Sequence, residues 1–285
     1  MIEFLQFGLN GVFLGAIYGL LAMALALTWS TTDVVDVSVG AYAMTAGIVA
    51  ASVGFPLGLL VGVATAVALG CIGGLIFLGF QLVKGGRDQI LLVLGSFGLL
   101  LVIESAVLTY FGTAGRFLPR IGGRIEIGAV TISVQNLINL AVSLVVLGCL
   151  LFLLKRTMLG LSMRACAISE DASKLAGIAV RKNQYSAFVL GAGIAGIAGT
   201  LAVLTIGLSY SSAFTLTIAG FGGAVVLGLR GPATAFAGGM LIGVAETLSQ
   251  GFLPSGWAPA IPSLIIVTVL ATGKLQGTSF ATARP

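Results

Sequence analysis

NGVFLGAIYGLLAMALALTW, residues 10–29, runs for twenty residues without one charged side chain. At about 1.5 Å of rise per residue, that is the length an α-helix needs to cross a hydrocarbon core ~30 Å thick. Its glycines and alanines offer no bulk, and its leucines and single isoleucine no side-chain hydrogen bond, so the stretch suits lipid and close helix neighbours. The apolar run extends from about Phe4 to Trp29 and ends at the polar patch STTD, 30–33.

The remainder of the chain repeats this pattern. Further apolar runs cover about 34–53, 57–83, 90–111, 134–154 and 185–207, and shorter ones about 214–229, 234–252 and 258–272. The last three are near or below the ~20 residues of a full crossing and are broken by Arg230-Gly231-Pro232 and by Leu253-Pro254-Ser255-Gly256. Short, interrupted segments are tolerated in lipid only where they line a cavity or are buried in protein. The expected fold is all-α, a polytopic transmembrane helix bundle of about 8–10 membrane segments with some short or broken helices, forming one domain over 1–285. Residues 112–133 alternate Arg-Ile-Glu-Ile among turn residues and predict a short hairpin or interfacial loop.

Composition excludes several functions. Hydrophobic residues make up 58% and charged residues 8%, with a mean hydropathy of +1.14. The net charge of +5 reflects basic loops, since no aromatic-basic patch of the kind that holds single strands is present and nucleic acid is not an expected partner. The chain contains no histidine, which removes the commonest general base and metal ligand, and no metal or catalytic constellation is found. Cys71, Cys149 and Cys166 have no paired or metal-like spacing and read as small packing side chains. The opening MIEF lacks a basic region, so the first helix is expected to stay as an uncleaved anchor.

Against this background one polar stretch stands out. GLSMRACAISEDASKLAGIAV, 160–180, lies in a region, Lys155 to Lys182, that carries eight charges. Ser169 followed by Glu170 and Asp171 predicts a helix N-cap with acids in the first turn, Lys174 falls in the last turn, and Gly177 is a C′ stop. A preceding short helix is expected to begin after Ser162, with Gly160 separating it from the span before. The alanines at 165, 167, 172 and 176 are available for close packing. Placing this loop and the Lys84–Arg87 loop on the cytoplasmic side satisfies the positive-inside rule and leaves the N-terminus external and the C-terminus cytoplasmic. Arg116, Arg120 and Arg124 then lie outside, where they would serve a partner or lipid head groups.

The same stretch resembles the cytoplasmic signature of the branched-chain amino acid permease family of ABC importers, specifically the shorter of its two permease types. The matching positions are Gly160, Met163, Arg164, Ala165, Asp171, Ala176, Gly177 and Ile178, beside Glu170. The likeness extends to GGAVVLGLRGPATAFAGGMLIGVAETL, 222–248, and to the first span, 10–29. What it implies is a permease subunit in a bacterial inner membrane with a cytoplasmic coupling loop at about 155–184. Two separate ATPases would bind ATP and magnesium, a second permease would form a heterodimer with it, and an external solute-binding protein would deliver branched-chain or other hydrophobic amino acids. The chain itself binds no cofactor in this scheme and has no GxxxxGK[ST] phosphate loop. Where the family commonly has an Asn-Phe-Ala-His-Gly-like run, this chain reads Asp36-Val37-Ser38-Val39-Gly40.

Acids within apolar spans are costly, so each invites a role. Asp36, Ser38 and Gly40 at the start of the second span, Glu104 in the fourth and Glu246 in the eighth are candidates for the translocation path or its gating. Asp36 is expected near the cytoplasmic mouth as a helix cap, Glu104 as an interhelical hydrogen-bonding residue, and Glu246 near the external end. Tyr18, Trp29, Tyr42 and Trp257 read as interfacial belts or packing, and Gly40, Gly47, Gly220, Gly222, Gly223, Gly238 and Gly239 as sites of close helix approach. The alternative to an ABC permease is a secondary transporter that couples these acids to protons.

Overall fold

The computed structural model describes residues 2–84, 89–118, 123–127, 130–229, 231–252 and 260–271. Among them nine helices correspond to the apolar runs: α1 Ile2–Thr32, α2 Val39–Val53, α3 Leu57–Lys84, α4 Gln89–Phe111, α5 Val134–Arg156, α8 Val180–Thr205, α9 Ser212–Val226, α10 Pro232–Phe252 and α11 Ala260–Ala271. Two short helices, α6 Met158–Ile168 and α7 Glu170–Leu175, fill the charged loop. The expected hairpin is present as β1 Arg124–Ile127 and β2 Val130–Ser133, antiparallel with Arg124 opposite Ser133. Arg87, Arg120, Arg230, Trp257, Lys274 and Arg284 lie outside the described residues, as do the side chains of Lys84 and Arg124.

Among the described residues five helices, within α1, α3, α4, α5 and α8, are long and apolar enough to cross a membrane. A helix that is hydrophobic all round belongs in a core or in lipid, and the bundle uses both. Helix α1 is the axis, buried almost continuously from Ala16 to Leu27. Helices α3, α4 and α5 surround the bundle and turn Leu60, Leu94 and Val145 outward, as lipid-facing helices do.

The central seam is made by glycine. Gly11, Gly15 and Gly19 recur every fourth residue on α1 and face α10, which runs antiparallel. A Cβ on Gly15 would stand 2.7 Å from Met240 Cα, and one on Gly19 2.8 Å from the Phe236 carbonyl oxygen. Gly239 and Gly243 meet α1 backbone from the opposite side, and a Cβ on Gly223 of α9 would lie 2.6 Å from Gly239 Cα. Without a hydrophobic force between helices in lipid, such backbone-to-backbone packing supplies the cohesion.

Helices α2 and α9, at 15 residues each, span only about 22 Å, less than a bilayer core. The second apolar run was expected to be helical from Val34, but 34–38 is irregular and largely buried, and the helix starts at Val39. Its backbone is satisfied by side chains: the Val37 amide donates to Ser96 Oγ (3.1 Å), its carbonyl accepts from Thr217 Oγ1 (2.9 Å), and the Gly40 amide donates to Thr217 Oγ1 (3.1 Å). Such side-chain bonds are what irregular backbone needs where protein packing excludes water.

Candidate functional site: a docking loop, a buried helix break and a polar cavity

The α6–α7 unit is built as a rigid projection. Thr157 caps α6, its hydroxyl accepting the Gly160 amide at 3.1 Å. The sequence reading placed the start of this helix after Ser162 with Gly160 as a breaker. Instead α6 begins at Met158, and Gly160 lies inside it, where a side chain would strike Leu153 and Leu154 of α5. Glycine serves close approach here rather than a break. Met163 and Cys166 are buried beneath the helix, and Asn183 of α8 fastens it by accepting from Ser162 Oγ (2.9 Å) and donating to Cys166 Sγ (3.5 Å).

Helix α7 has the predicted punctuation. Ser169 Oγ accepts the Ala172 amide at 3.3 Å, Lys174 pairs with Glu170 (2.8 Å) and Asp171 (3.5 Å), and Gly177 ends the turn at φ 76°. Of the predicted loop residues, Gly160 and Met163 face the bundle, Ala165, Glu170 and Ile178 are half-buried, and Arg164, Asp171, Ala176 and Gly177 are exposed. Ala167 and Ala172 are also exposed rather than packed. The basic residues at the ends of the stretch belong to helices: Lys155 and Arg156 close α5, and Arg181 and Lys182 open α8. The apolar tips, Ile168 at 88% and Leu175 at 91% exposure, were not singled out from sequence, where an apolar residue in a short helix reads equally well as packing.

The second feature is the break before α2. Asp36 was expected near a mouth but is 1% exposed. Its Oδ1 accepts the Ser38 amide (3.0 Å) and the Ser38 hydroxyl, which closes the turn before α2. The N-cap position itself is Ser38, and no side chain caps the helix, so Asp36 is a turn residue and not the expected cap. Ser38 Oγ also pairs with the Tyr42 hydroxyl (2.7 Å). Asp36 Oδ2 has no hydrogen-bond partner among the described residues and borders a cavity of about 20 Å3 walled by Phe77, Phe188 and Leu92, room for one water molecule. Tyr42 is therefore a member of a buried polar cluster and not simple packing. Gly40 packs against Ala213 and Thr217 of α9, which completes the junction.

The third feature is an open cavity of about 810 Å3 bordered by the first half of α1, the start of α5, the end of α8, Thr215 in the first turn of α9 and the last turns of α10. Helix α5 runs from this cavity, at Ser133 and Asn136, to the α6–α7 unit, so the two lie at opposite ends of the bundle. Glu246 and Tyr18 face each other across the α1–α10 seam at its wall. Tyr18, like Tyr42, had been read as packing, and its place beside a carboxylate corrects that. Glu104 is half-buried on α4 and borders neither cavity. Arg116, read as available to a partner, donates to Ser52 Oγ (3.0 Å) and lies 5.3 Å from the Phe111 ring centre.

A further polar stripe on α5 escaped the sequence reading. Gln135, Asn139 and Ser143 repeat every fourth residue and are all buried, with Gln135 Nε2 donating to Asn139 Oδ1 at 2.8 Å. That i, i+4, i+8 spacing in an apolar helix was the available signal.

Fold and site together define a polytopic helical membrane protein with a capped helical loop at one end and a polar chamber at the other. The chain matches the family described as branched-chain amino acid transport system / permease component over residues 8–270, and it belongs to that family. It is 25% identical over 288 residues to the high-affinity branched-chain amino acid transport system permease protein LivH of Salmonella typhimurium, covering 94% of this chain and 92% of that one. It is 23% identical over 287 residues to the corresponding BraD protein of Pseudomonas aeruginosa, covering 94% and 93%. Its fold is shared with PsaBC from Streptococcus pneumoniae solved in complex with Fab, at a TM-score of 0.53, 11% identity, and 96% and 94% coverage.

Proposed function

We propose that this chain is the membrane-spanning permease subunit of an ATP-driven importer for branched-chain or related hydrophobic amino acids. The observation that carries the reading is the α6–α7 unit: two capped helices fastened to α8, α6 through Asn183 and α7 through Gln184, which donates to Glu170 at 3.4 Å, presenting Arg164, Ile168, Asp171 and Leu175 outward. Uncovered apolar tips on a rigid, charged projection suit a protein partner better than solvent. In this reading the partner is a cytoplasmic ATPase carrying the ATP and magnesium, and its motion enters the bundle through α5 and α8. A second permease completes the path, and a solute-binding protein delivers substrate at the cavity end. That end is external, and the α6–α7 end and the C-terminus are cytoplasmic.

The test replaces Arg164 and Asp171 together by Ala in membranes containing the co-expressed partners. Loss of ATPase co-purification, or retained ATPase with failed leucine uptake, supports coupling through this unit. Survival of both binding and uptake overturns it and shifts weight to a proton-coupled secondary transporter. That second reading draws on Asp36, whose buried Oδ2 has no partner among the described residues.

A further inference from the structure

We propose that the cavity beside Glu246 is the permease's own recognition site for the ammonium group of its substrate, with the Glu246 carboxylate as the accepting group. This deepens, and rests on, the permease reading. Of the described residues lining the cavity, Glu246 is the one acid and none is a lysine or arginine; the others are amides, hydroxyls or apolar side chains. Its neighbours are neutral: the Tyr18 phenol across the seam and Gln250, whose Nε2 lies 3.4 Å from Oε1. Among the described residues no lysine or arginine lies within ion-pairing distance of it.

A half-buried carboxylate in an apolar bundle, at the wall of an open cavity and without a cation beside it among the described residues, draws positive charge to itself. The chamber's volume is that of a small-molecule site. Phe13, Leu14 and Ile17 offer an apolar wall on α1 for a branched side chain, and the Asn136 amide and Thr215 hydroxyl offer donors for a carboxylate. The arrangement thus favours a zwitterion with an apolar tail and disfavours the matching fatty acid, whose lone negative charge Glu246 repels.

The experiment uses the complete transporter, both permeases and both ATPases, in lipid nanodiscs without solute-binding protein. Equilibrium binding of radiolabelled L-leucine is competed by isopentylamine, which lacks the carboxylate, and by 4-methylpentanoate, which lacks the ammonium. Wild type is expected to bind leucine and to release it to the amine but not to the acid. Glu246→Gln is expected to weaken leucine binding on the order of tenfold or more, the loss of one charge-assisted hydrogen bond, while Glu246→Asp recovers part of it. Equal competition by the acid, unchanged affinity in Glu246→Gln, or no leucine binding to wild type overturns the site. If Glu246→Gln does not assemble, the wild-type competition pattern and Glu246→Asp still decide. ATP-driven leucine uptake with the binding protein added is read separately: its absence in wild type sinks the permease reading itself, whereas normal uptake with unselective binding sinks only this site.

Discussion

The hydroxyl of Thr217 on α9 accepts the Gly40 amide at 3.1 Å and at the same time donates to the Val37 carbonyl at 2.9 Å. One side chain thus closes both sides of the irregular turn that starts α2, joining two helices 177 positions apart in sequence. Removing it leaves the buried Gly40 amide and the part-buried Val37 carbonyl without this partner. Thr217→Ala is expected to cost about 1–3 kcal/mol, read as a lower thermal unfolding midpoint of the purified protein. An unchanged midpoint means that this junction does not hold the break.

Asp36 supports the same turn through one oxygen only. Asp36→Asn keeps an acceptor at the Oδ1 position and removes a buried charge that has no cation beside it among the described residues, so stability is expected to hold or rise. Leucine uptake is expected to persist as well. A marked loss of uptake at unchanged stability instead assigns the carboxyl a proton-carrying role.

The α1–α10 seam makes a contrast within one residue type. Gly15→Ala places a Cβ 2.7 Å from Met240 Cα, and overpacking against backbone costs about 1–3 kcal/mol or more. Gly98→Ala on α4 meets nothing within 4 Å and is expected to change stability by no more than about 1 kcal/mol. Comparing monodisperse yield and thermal midpoint of the two variants checks this. Equal behaviour means that the seam is looser than the backbone geometry describes.

The coupling unit separates a docking face from a packing face. Ile168→Asp and Leu175→Asp alter exposed tips, so the thermal midpoint is expected to stay while ATPase co-purification falls about tenfold, as for a lost apolar anchor. Met163→Ala does the reverse in first instance: Met163 is 1% exposed, and its truncation costs about 2–5 kcal/mol of stability. Undiminished ATPase capture by both aspartate variants locates the docking face elsewhere.

Much of this architecture was legible in the sequence because lipid imposes one rule, that backbone must be satisfied within the helix, and apolar run length then marks each span. The cap at Ser169 and the stop at Gly177 were equally readable, since they are local chemistry. What escaped was set by tertiary neighbours. Val34 to Ser38 is apolar enough to pass for helix, and Ser96 and Thr217, far along the chain, help hold it in an irregular turn. Gly160 looked like a breaker because sequence shows a missing side chain but not the α5 turn pressed against it. Tyr18 and Glu246 lie on helices at opposite ends of the chain, and only the glycine seam brings them to one cavity wall.

The most direct measurement is leucine uptake into proteoliposomes holding the complete permease and ATPase assembly, with solute-binding protein outside and ATP inside. The account predicts uptake that requires ATP and the binding protein and continues when a protonophore collapses the proton gradient. Uptake that proceeds without ATP and stops on addition of the protonophore contradicts it.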